Sequence, residues 1–480
     1  MARLGRLPAQ MSTIFSAILI LLHLVIQCTV PITAEDINEH RTSIGMFLFP
    51  GGQSHGFDIG EVAMELVERG FNVYVSMTSF DVKPFRQYIG RSNNPVDIHF
   101  YDSRAQVSSQ AHEDAKLTIV KYDLEVTDEV KEFESSWLQQ NLESHMNYTS
   151  ELYDDMWREY ALQKFVAAQS LNDKELGLLE AFKTTARQCR DLMKDSLTAS
   201  IFSSLDMFIL DPAVNCGLVN AVRFQKPFAL ALFGSFYPFF DSSSWIQPWV
   251  PTFNSGILPM SMTAMDAIRN LKQTRSFKTE FIPAMWKEFC PLMKTYNIDA
   301  NISTLLPADQ CTRVREYAYR MSIARVYFTE LDAPRELFPI EHFVGSLTSR
   351  PAVPLPTGTD GIAEFITSAT RGFIYISLGT IATFEMERML RIRDAVESFG
   401  SLRAVWKITG YMSEEDKAQL QRSGRIMLTQ WTSQNDLLGH PNILAFFTHA
   451  GRHSLEEGAY HGVPLLMMPL FGDQNEVSLT

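Results

Sequence analysis

Residues 430–474 read QWTSQNDLLGHPNILAFFTHAGRHSLEEGAYHGVPLLMMPLFGDQ, and the order of residue types in this stretch decides the fold. The apolar run 444–448 has the length of a buried strand and stops at His449-Ala450-Gly451. A helix beginning near Ser454 follows, and then a second short apolar run at 465–468. Strand, tight turn, helix and strand make a βαβ unit, hence a parallel sheet. Ligands of such sheets sit beyond the carboxyl ends of the strands, so the residues that follow strands carry the chemistry. The free N–H groups and positive dipole end of a helix starting near Ser454 form an anion site. Gly451 lets backbone approach a phosphate closely, and His449, Arg452 and His453 add donors around the same turn. Glu457, one turn into the helix, can accept from the two hydroxyls of a ribose. Trp431 offers a flat face to a base, and Gln434 can bond the edge of that base. Asp473 and Gln474 follow the next strand and can hold sugar hydroxyls. Each residue also has a plain structural reading: a core tryptophan, a satisfied core histidine, a carboxylate favoured in a first helical turn. It is the ordered set that points to a nucleotide.

The same alternation runs outward from this stretch. Upstream, 373–378 is a strand ending in Gly379-Thr380, 385–399 a helix, and 404–408 and 425–428 further strands. Before them Pro334, Pro339, Pro351, Pro354 and Pro356 crowd a region that continues neither helix nor central strand, which marks a linker. In the first half, 44–49 is a strand ending in Pro50-Gly51-Gly52. A helix follows on the apolar spacing of Ile59, Val62, Ala63, Leu66 and Val67, then a strand at 71–76. Helices are expected at 128–145 and 152–171. A strand at 205–210 ends in Asp211-Pro212, a helix passes through Val219 and Phe224, and strands follow at 227–232 and 324–329, the last of this half. The aromatic, Pro- and Ser-rich stretch 236–259 is expected to form a loop or a variable pocket wall. The expected fold class is α/β, with a domain at 35–340 and a second at 341–480.

Lys and Arg total 42 against 55 Asp and Glu, a net charge of −13 that argues against a nucleic-acid partner yet permits a local anion pocket. Arg3 and Arg6 precede an apolar run at 14–26 and then small and polar residues, the order of a secretory signal peptide, taken as residues 1–34. Asn147-Tyr148-Thr149 and Asn301-Ile302-Ser303 are glycosylation sequons consistent with that compartment. Cys189, Cys216, Cys290 and Cys311 follow the signal. No zinc spacing is present, and disulfides and buried thiols are both open readings. No second long apolar run follows.

The stretch from Trp431 to Gln474 closely resembles the signature of the UDP-glycosyltransferase family, whose animal members are UDP-glucuronosyltransferases. The resemblance rests on Trp-x-x-Gln-Asn-Asp-Leu-Leu-Gly-His-Pro, the Thr-His-x-Gly turn, Glu457, Tyr-His-Gly-x-Pro and Asp473-Gln474. It extends more loosely to Ser377-Leu-Gly379-Thr380 and to Ala404-Val-Trp406-Lys407. It implies the GT-B architecture, two Rossmann-like domains facing across a cleft. It further implies that Trp431 stacks on uracil, Gln434 bonds it, and Glu457 holds the ribose diol. Thr380, His449, Gly451, His453 and Ser454 would line the diphosphate, and Asp473 and Gln474 would hold the transferred sugar. Two positions depart from the family pattern: His453 stands where asparagine is usual, and Arg452 where a neutral residue is usual.

Inverting sugar transfer needs a base for the acceptor hydroxyl. Histidine suits this, with an unperturbed pKa of about 6.5 and a carboxylate to orient it. His55 lies in the turn after the first strand, where the family has its base, and Asp211 matches the carboxylate partner. No Asp-x-Asp metal motif is evident near the donor site, so no cofactor or metal is expected and helix N–H groups and basic side chains meet the leaving-group charge. The expected partners are UDP-glucuronate or UDP-glucose and a small lipophilic acceptor, in the lumen of the endoplasmic reticulum. Since family members continue with a helical segment and a membrane helix, membrane association is expected if such a helix follows Thr480. A non-catalytic relative that binds UDP-sugar or acceptor without turnover is the alternative.

Overall fold

The computed structural model describes residues 42–48, 53–78, 98–102, 117–122, 189–211, 215–232, 262–276, 279–280, 282–287, 289–298, 321–327, 339–358, 361–379, 384–408 and 412–470, with positions 85, 186, 474 and 478. The segment 1–34, the sequons at Asn147 and Asn301, the helices expected at 128–145 and 152–171, and the stretch 236–259 lie outside the described residues. So do Thr380 and Asp473. Contacts divide the chain into two compact units, 1–248 with 268–328 and 335–345, and 249–267 with 329–334 and 346–480.

The first unit holds eight parallel strands: β1 (Ser43–Phe47), β2 (Asn72–Thr78), β3 (Ile98–Asp102), β4 (Leu117–Tyr122), β5 (Met207–Leu210), β6 (Phe228–Leu232), β7 (Arg325–Tyr327) and β8 (Glu341–Phe343). Their order is β3-β4-β2-β1-β5-β6-β7-β8. Helix α1 (Gln53–Glu68) joins β1 to β2, α2 (Ser196–Ser204) leads into β5, and α3 (Asn215–Arg223) connects β5 to β6. Helices α4 (Ala264–Ser276), α5 (Ile282–Lys287) and α6 (Cys290–Thr295) precede β7. The chain leaves β1 in one direction along the sheet and later returns to its other edge as β5. The Asp206 carboxylate fixes that return by accepting from the Ser43 N–H at 2.7 Å. A disulfide joins Cys189 to Cys216 and ties the start of α3 to the segment before α2.

Here the fold departs from expectation. The strand at 324–329 is not the last of its half, because β8 pairs with β7 beyond Pro334 and Pro339. The last division between the units falls at Gly345/Ser346, inside the stretch that Pro334 to Pro356 mark. A charged residue can open strand β8 because Glu341 is neutralised in the core. Its carboxylate accepts from Arg325 at 3.3 Å and from the Tyr327 hydroxyl at 3.0 Å.

The second unit holds five parallel strands: β9 (Phe373–Ser377), β10 (Arg403–Lys407), β11 (Ile426–Thr429), β12 (Ile443–Thr448) and β13 (Leu465–Met467), in the order β11-β10-β9-β12-β13. Helices α7 (Ile362–Thr367), α8 (Met386–Ser398), α9 (Glu414–Gln421), α10 (Gln434–Leu438) and α11 (Arg452–His461) alternate with them. Side chains alternate along a strand, so each strand feeds two layers. Phe373, Tyr375, Val405 and Phe446 pack with α7 and α10 on one face. Ile376, Ala404, Trp406 and Ile426 pack with α8 and α9 on the other. This is a doubly wound sheet whose strand order reverses at β9, between β10 and β12.

Candidate functional site

Every sequence-predicted donor residue in the described part of the second unit follows the carboxyl end of a strand. Trp431 and Gln434 follow β11, His449, Gly451, His453, Ser454 and Glu457 follow β12, and Gln474 follows β13. The turn after β12 is the most constrained. Ala450 is buried at a φ of 65°, a left-handed conformation that costs free energy in any residue with a side chain. Its N–H bonds back to Thr448 Oγ1 at 3.3 Å. Helix α11 begins at Arg452 with Gly451 as its N-cap, two positions ahead of the expected start. Gly451 offers no side chain to cap the first turn, and a helix start of this kind, with its positive dipole end, suits an anion.

The His449 imidazole fills the space between two glycines. A Cβ at Gly451 would stand 2.5 Å from His449 Nε2, and one at Gly379 would stand 2.9 Å from it. No other residue type fits either position with the ring where it is. Burial, with the nearby Lys407 cation, drives the His449 pKa down to about 4 against a hydrogen bond with the Ser377 backbone, so the ring is neutral at physiological pH. Lys407 closes β10 in register with Ser377 of β9. Sequence reasoning read Lys407 only as part of a strand. Its signal was its place as the last residue of a strand beside the switch strand β9.

Gln434, Ser454 and Glu457 meet. Gln434 Nε2 donates to Glu457 Oε2 at 2.7 Å and reaches Ser454 Oγ at 3.2 Å. Glu457 is 7% exposed, and burial lifts its carboxyl to about 7 against the Gln434 hydrogen bond and the charges of His453 and Arg350. A carboxyl on the edge of ionisation, already held by one amide, is suited to accept from paired hydroxyls. Trp431 is 50% exposed, an unusual state for so large an apolar side chain. Its turn is pinned on both sides, with Thr429 Oγ1 donating to Trp431 O at 2.7 Å and receiving from Trp431 N at 3.2 Å.

Four residues of the stretch make contacts that their order alone does not show. Arg452 turns its guanidinium to Glu456. Its guanidinium is buried against Glu456 at 3.4 Å, with side chains 4% and 3% exposed, because a buried charge must be paired. Gln474 is buried, and its Oε1 accepts from the Leu470 N–H at 2.8 Å, closing the segment after β13. Asn435 and Asp436 bind the incoming segment at Arg350.

In the first unit, α1 starts at Gln53, so the His55 backbone lies in the first turn of that helix and not in the loop before it. Asp211 directly follows β5 and is 2% exposed. Both positions thus stand at the carboxyl ends of β1 and β5, the adjacent strands where the first sheet reverses its order. Asp58, three residues beyond His55 in α1, is a second buried carboxylate that the spacing His-Gly-Phe-Asp makes visible in the sequence.

Two parallel doubly wound sheets, each carrying polar residues at its switch point, define the class: an α/β protein of GT-B architecture with Rossmann-like units. A solved structure described as "Crystal structure of TcCGT1 in complex with UDP" shares this fold with a TM-score of 0.51 at 14% identity, covering 92% of this chain and 84% of that one. The family model for UDP-glucoronosyl and UDP-glucosyl transferase matches residues 98–478, and the chain belongs to that family. The rat UDP-glucuronosyltransferase 1A8 (Rattus norvegicus) is 27% identical over 323 residues, covering 65% of this chain and 57% of that protein. The rabbit UDP-glucuronosyltransferase 2B16 (Oryctolagus cuniculus) is 26% identical over 387 residues, covering 78% of this chain and 66% of that protein. The match therefore spans rather more than half the length of these relatives.

Proposed function

We propose that the protein transfers a hexosyl group, glucuronate or glucose, from a UDP-sugar to a hydroxyl of a small lipophilic acceptor, with inversion at the anomeric carbon. The observation that carries this reading is the meeting of Gln434, Ser454 and Glu457 at the glycine-capped start of α11. Trp431 stacks on the uracil, Gln434 bonds its edge, and Glu457 accepts from the ribose diol. The diphosphate lies against the first-turn N–H groups of α11, with Gly451, His453, Ser454 and Thr380 around it. The neutral His449 and the Lys407 cation complete its surroundings. Asp473 and Gln474 hold the transferred sugar.

His55 takes the proton from the acceptor hydroxyl, with Asp211 steadying the imidazolium. The acceptor oxygen bonds to the anomeric carbon as the bond to the diphosphate oxygen breaks, and UDP leaves. The charge that develops on UDP is met by fixed dipoles and a cation rather than by a bound metal. The Cys189–Cys216 disulfide supports an oxidising compartment, the lumen of the endoplasmic reticulum. The test is His55→Ala. Transfer of labelled sugar from UDP-glucuronate or UDP-glucose to a phenol panel is expected to vanish while calorimetric affinity for UDP is retained. Equal turnover in the variant and the parent refutes the assignment.

A further inference from the structure

The chain enters the second unit for the last time through 346–358, and its strongest polar contact there reaches far along the sequence. Arg350 forks onto Asp436, with Nη1 to Oδ1 at 2.7 Å and Nη2 to Oδ2 at 2.8 Å. The Val353 N–H adds a third bond to Asp436 Oδ1 at 3.0 Å. Next to it, Asn435 grips the same backbone twice: Oδ1 accepts from Arg350 N at 3.2 Å and Nδ2 donates to Arg350 O at 3.0 Å. Asn435 Oδ1 also lies 3.1 Å from His461 Nε2, at the far end of α11. Burial works against the Asp436 carboxylate, yet the bonds from Arg350, Ser433 and Val353 hold its pKa below the usual range. Asp436 is ionised and fully engaged, and its partners are all in the second unit.

These contacts fix a helix too short to fix itself. Helix α10 has only five residues and no side-chain cap bond at Ser433. Isolated helices of this length do not persist without tertiary contacts. Its first residue is Gln434, the amide that bridges Ser454 and Glu457. We propose that Arg350 is a positioning residue for the nucleoside half of the donor site: its fork on Asp436 sets α10 so that Gln434 stands against Glu457. The inference rests on the donor-site reading given under Proposed function and adds a residue to it from outside the 431–474 stretch.

Arg350 acts in a second way that a merely structural contact does not. Its charge is felt at Glu457, which also faces Gln434 from α10, His453 and Glu456 from α11, and Tyr375 from β9. Arg350 and His453 favour the Glu457 carboxylate, whereas burial and Glu456 oppose it. Removing Arg350 leaves burial less opposed. Binding that needs the carboxylate then moves to higher pH.

The experiment is UDP titration calorimetry across about pH 6 to 9 on the whole chain, with Arg350→Met, Arg350→Lys and Gln434→Ala, alongside donor KM and kcat. Arg350→Met is expected to weaken UDP binding roughly 10-fold or more, since small misplacements at such sites are costly. Donor KM rises while kcat at saturating donor changes little, and the pH midpoint of binding moves upward. Arg350→Lys is expected to restore the midpoint but only part of the affinity, because a point charge cannot fork onto a carboxylate. Added to Gln434→Ala, Arg350→Met should cost much less than it does alone, since it acts through that amide. A folded Arg350→Met or Arg350→Lys protein that keeps parental affinity and midpoint overturns the inference while leaving the donor site intact. A parent chain with no affinity for UDP overturns both.

Discussion

Replacing Glu457 with glutamine separates stability from function in a way that can be worked from the structure. Burial lifts the Glu457 carboxyl from 4.5 to about 7. At about 1.4 kcal/mol per pH unit this amounts to about 3 kcal/mol. The sign follows from which form the fold prefers. The folded chain favours the protonated acid, so the stability associated with it is fully present below 4.5 and is lost as the pH rises through about 7. Above that, a buried carboxylate opposes folding until a ligand compensates it. Glutamine keeps the shape and never ionises. The two proteins should therefore unfold alike at about pH 4, and at about pH 8 the variant should be more stable by about 3 kcal/mol, or about 6–12 °C in Tm for a unit of this size. The assay is thermal unfolding of both proteins at the two pH values, without ligand. The same substitution should weaken UDP binding about 10- to 100-fold at pH 8 by replacing charge-assisted bonds to the ribose with neutral ones. A stability gap that does not change with pH refutes the reasoning, because the cost of the buried charge is then absent.

Other expectations follow from the same geometry. Gly451→Ala forces a Cβ within 2.5 Å of His449 Nε2, so the ring or the turn must shift. UDP and inorganic diphosphate should both lose affinity in that variant, and uridine should lose little, as competition binding will report. Trp431→Ala removes a half-exposed face, so Tm should hold while UDP affinity falls by about 1–3 kcal/mol, the range for base–aromatic stacking. Lys407→Ala should lower UDP affinity and flatten its salt dependence, and it should raise the His449 pKa, readable from the histidine ring signals by NMR.

The second sheet was legible because its strands are continuous apolar runs, the pattern of strands buried on both faces. The runs at 373–378, 404–408, 425–428, 444–448 and 465–468 fall on β9 to β13 within a residue or two. Strand β8 was not legible, since three residues opening on Glu341 carry no strand signal until Arg325 and Tyr327 are known to face it. Strand β3, Ile-His-Phe-Tyr-Asp, mixes polar and apolar residues at the sheet edge and was missed for the same reason. At the site, Ser454 and Glu457 could be grouped because, three residues apart, they share one turn of α11, whereas Gln434 joins them only through the family motif. The roles of Asn435 and Asp436 could not, because Arg350 lies 86 positions from Asp436 and nothing local marks it. Arg452 misled for the opposite reason. A basic residue in a glycine turn reads as an anion ligand, and only the buried Glu456 one turn later shows where its charge goes.

Soaking UDP into crystals of the protein shows where the nucleotide lies. Uracil is expected flat on Trp431, both ribose hydroxyls on Glu457, and the diphosphate against the N–H groups of Arg452, His453 and Ser454. Nucleotide density elsewhere on the second unit, or bound with Glu457 still closed on Gln434 alone and the start of α11 untouched, would contradict this placement.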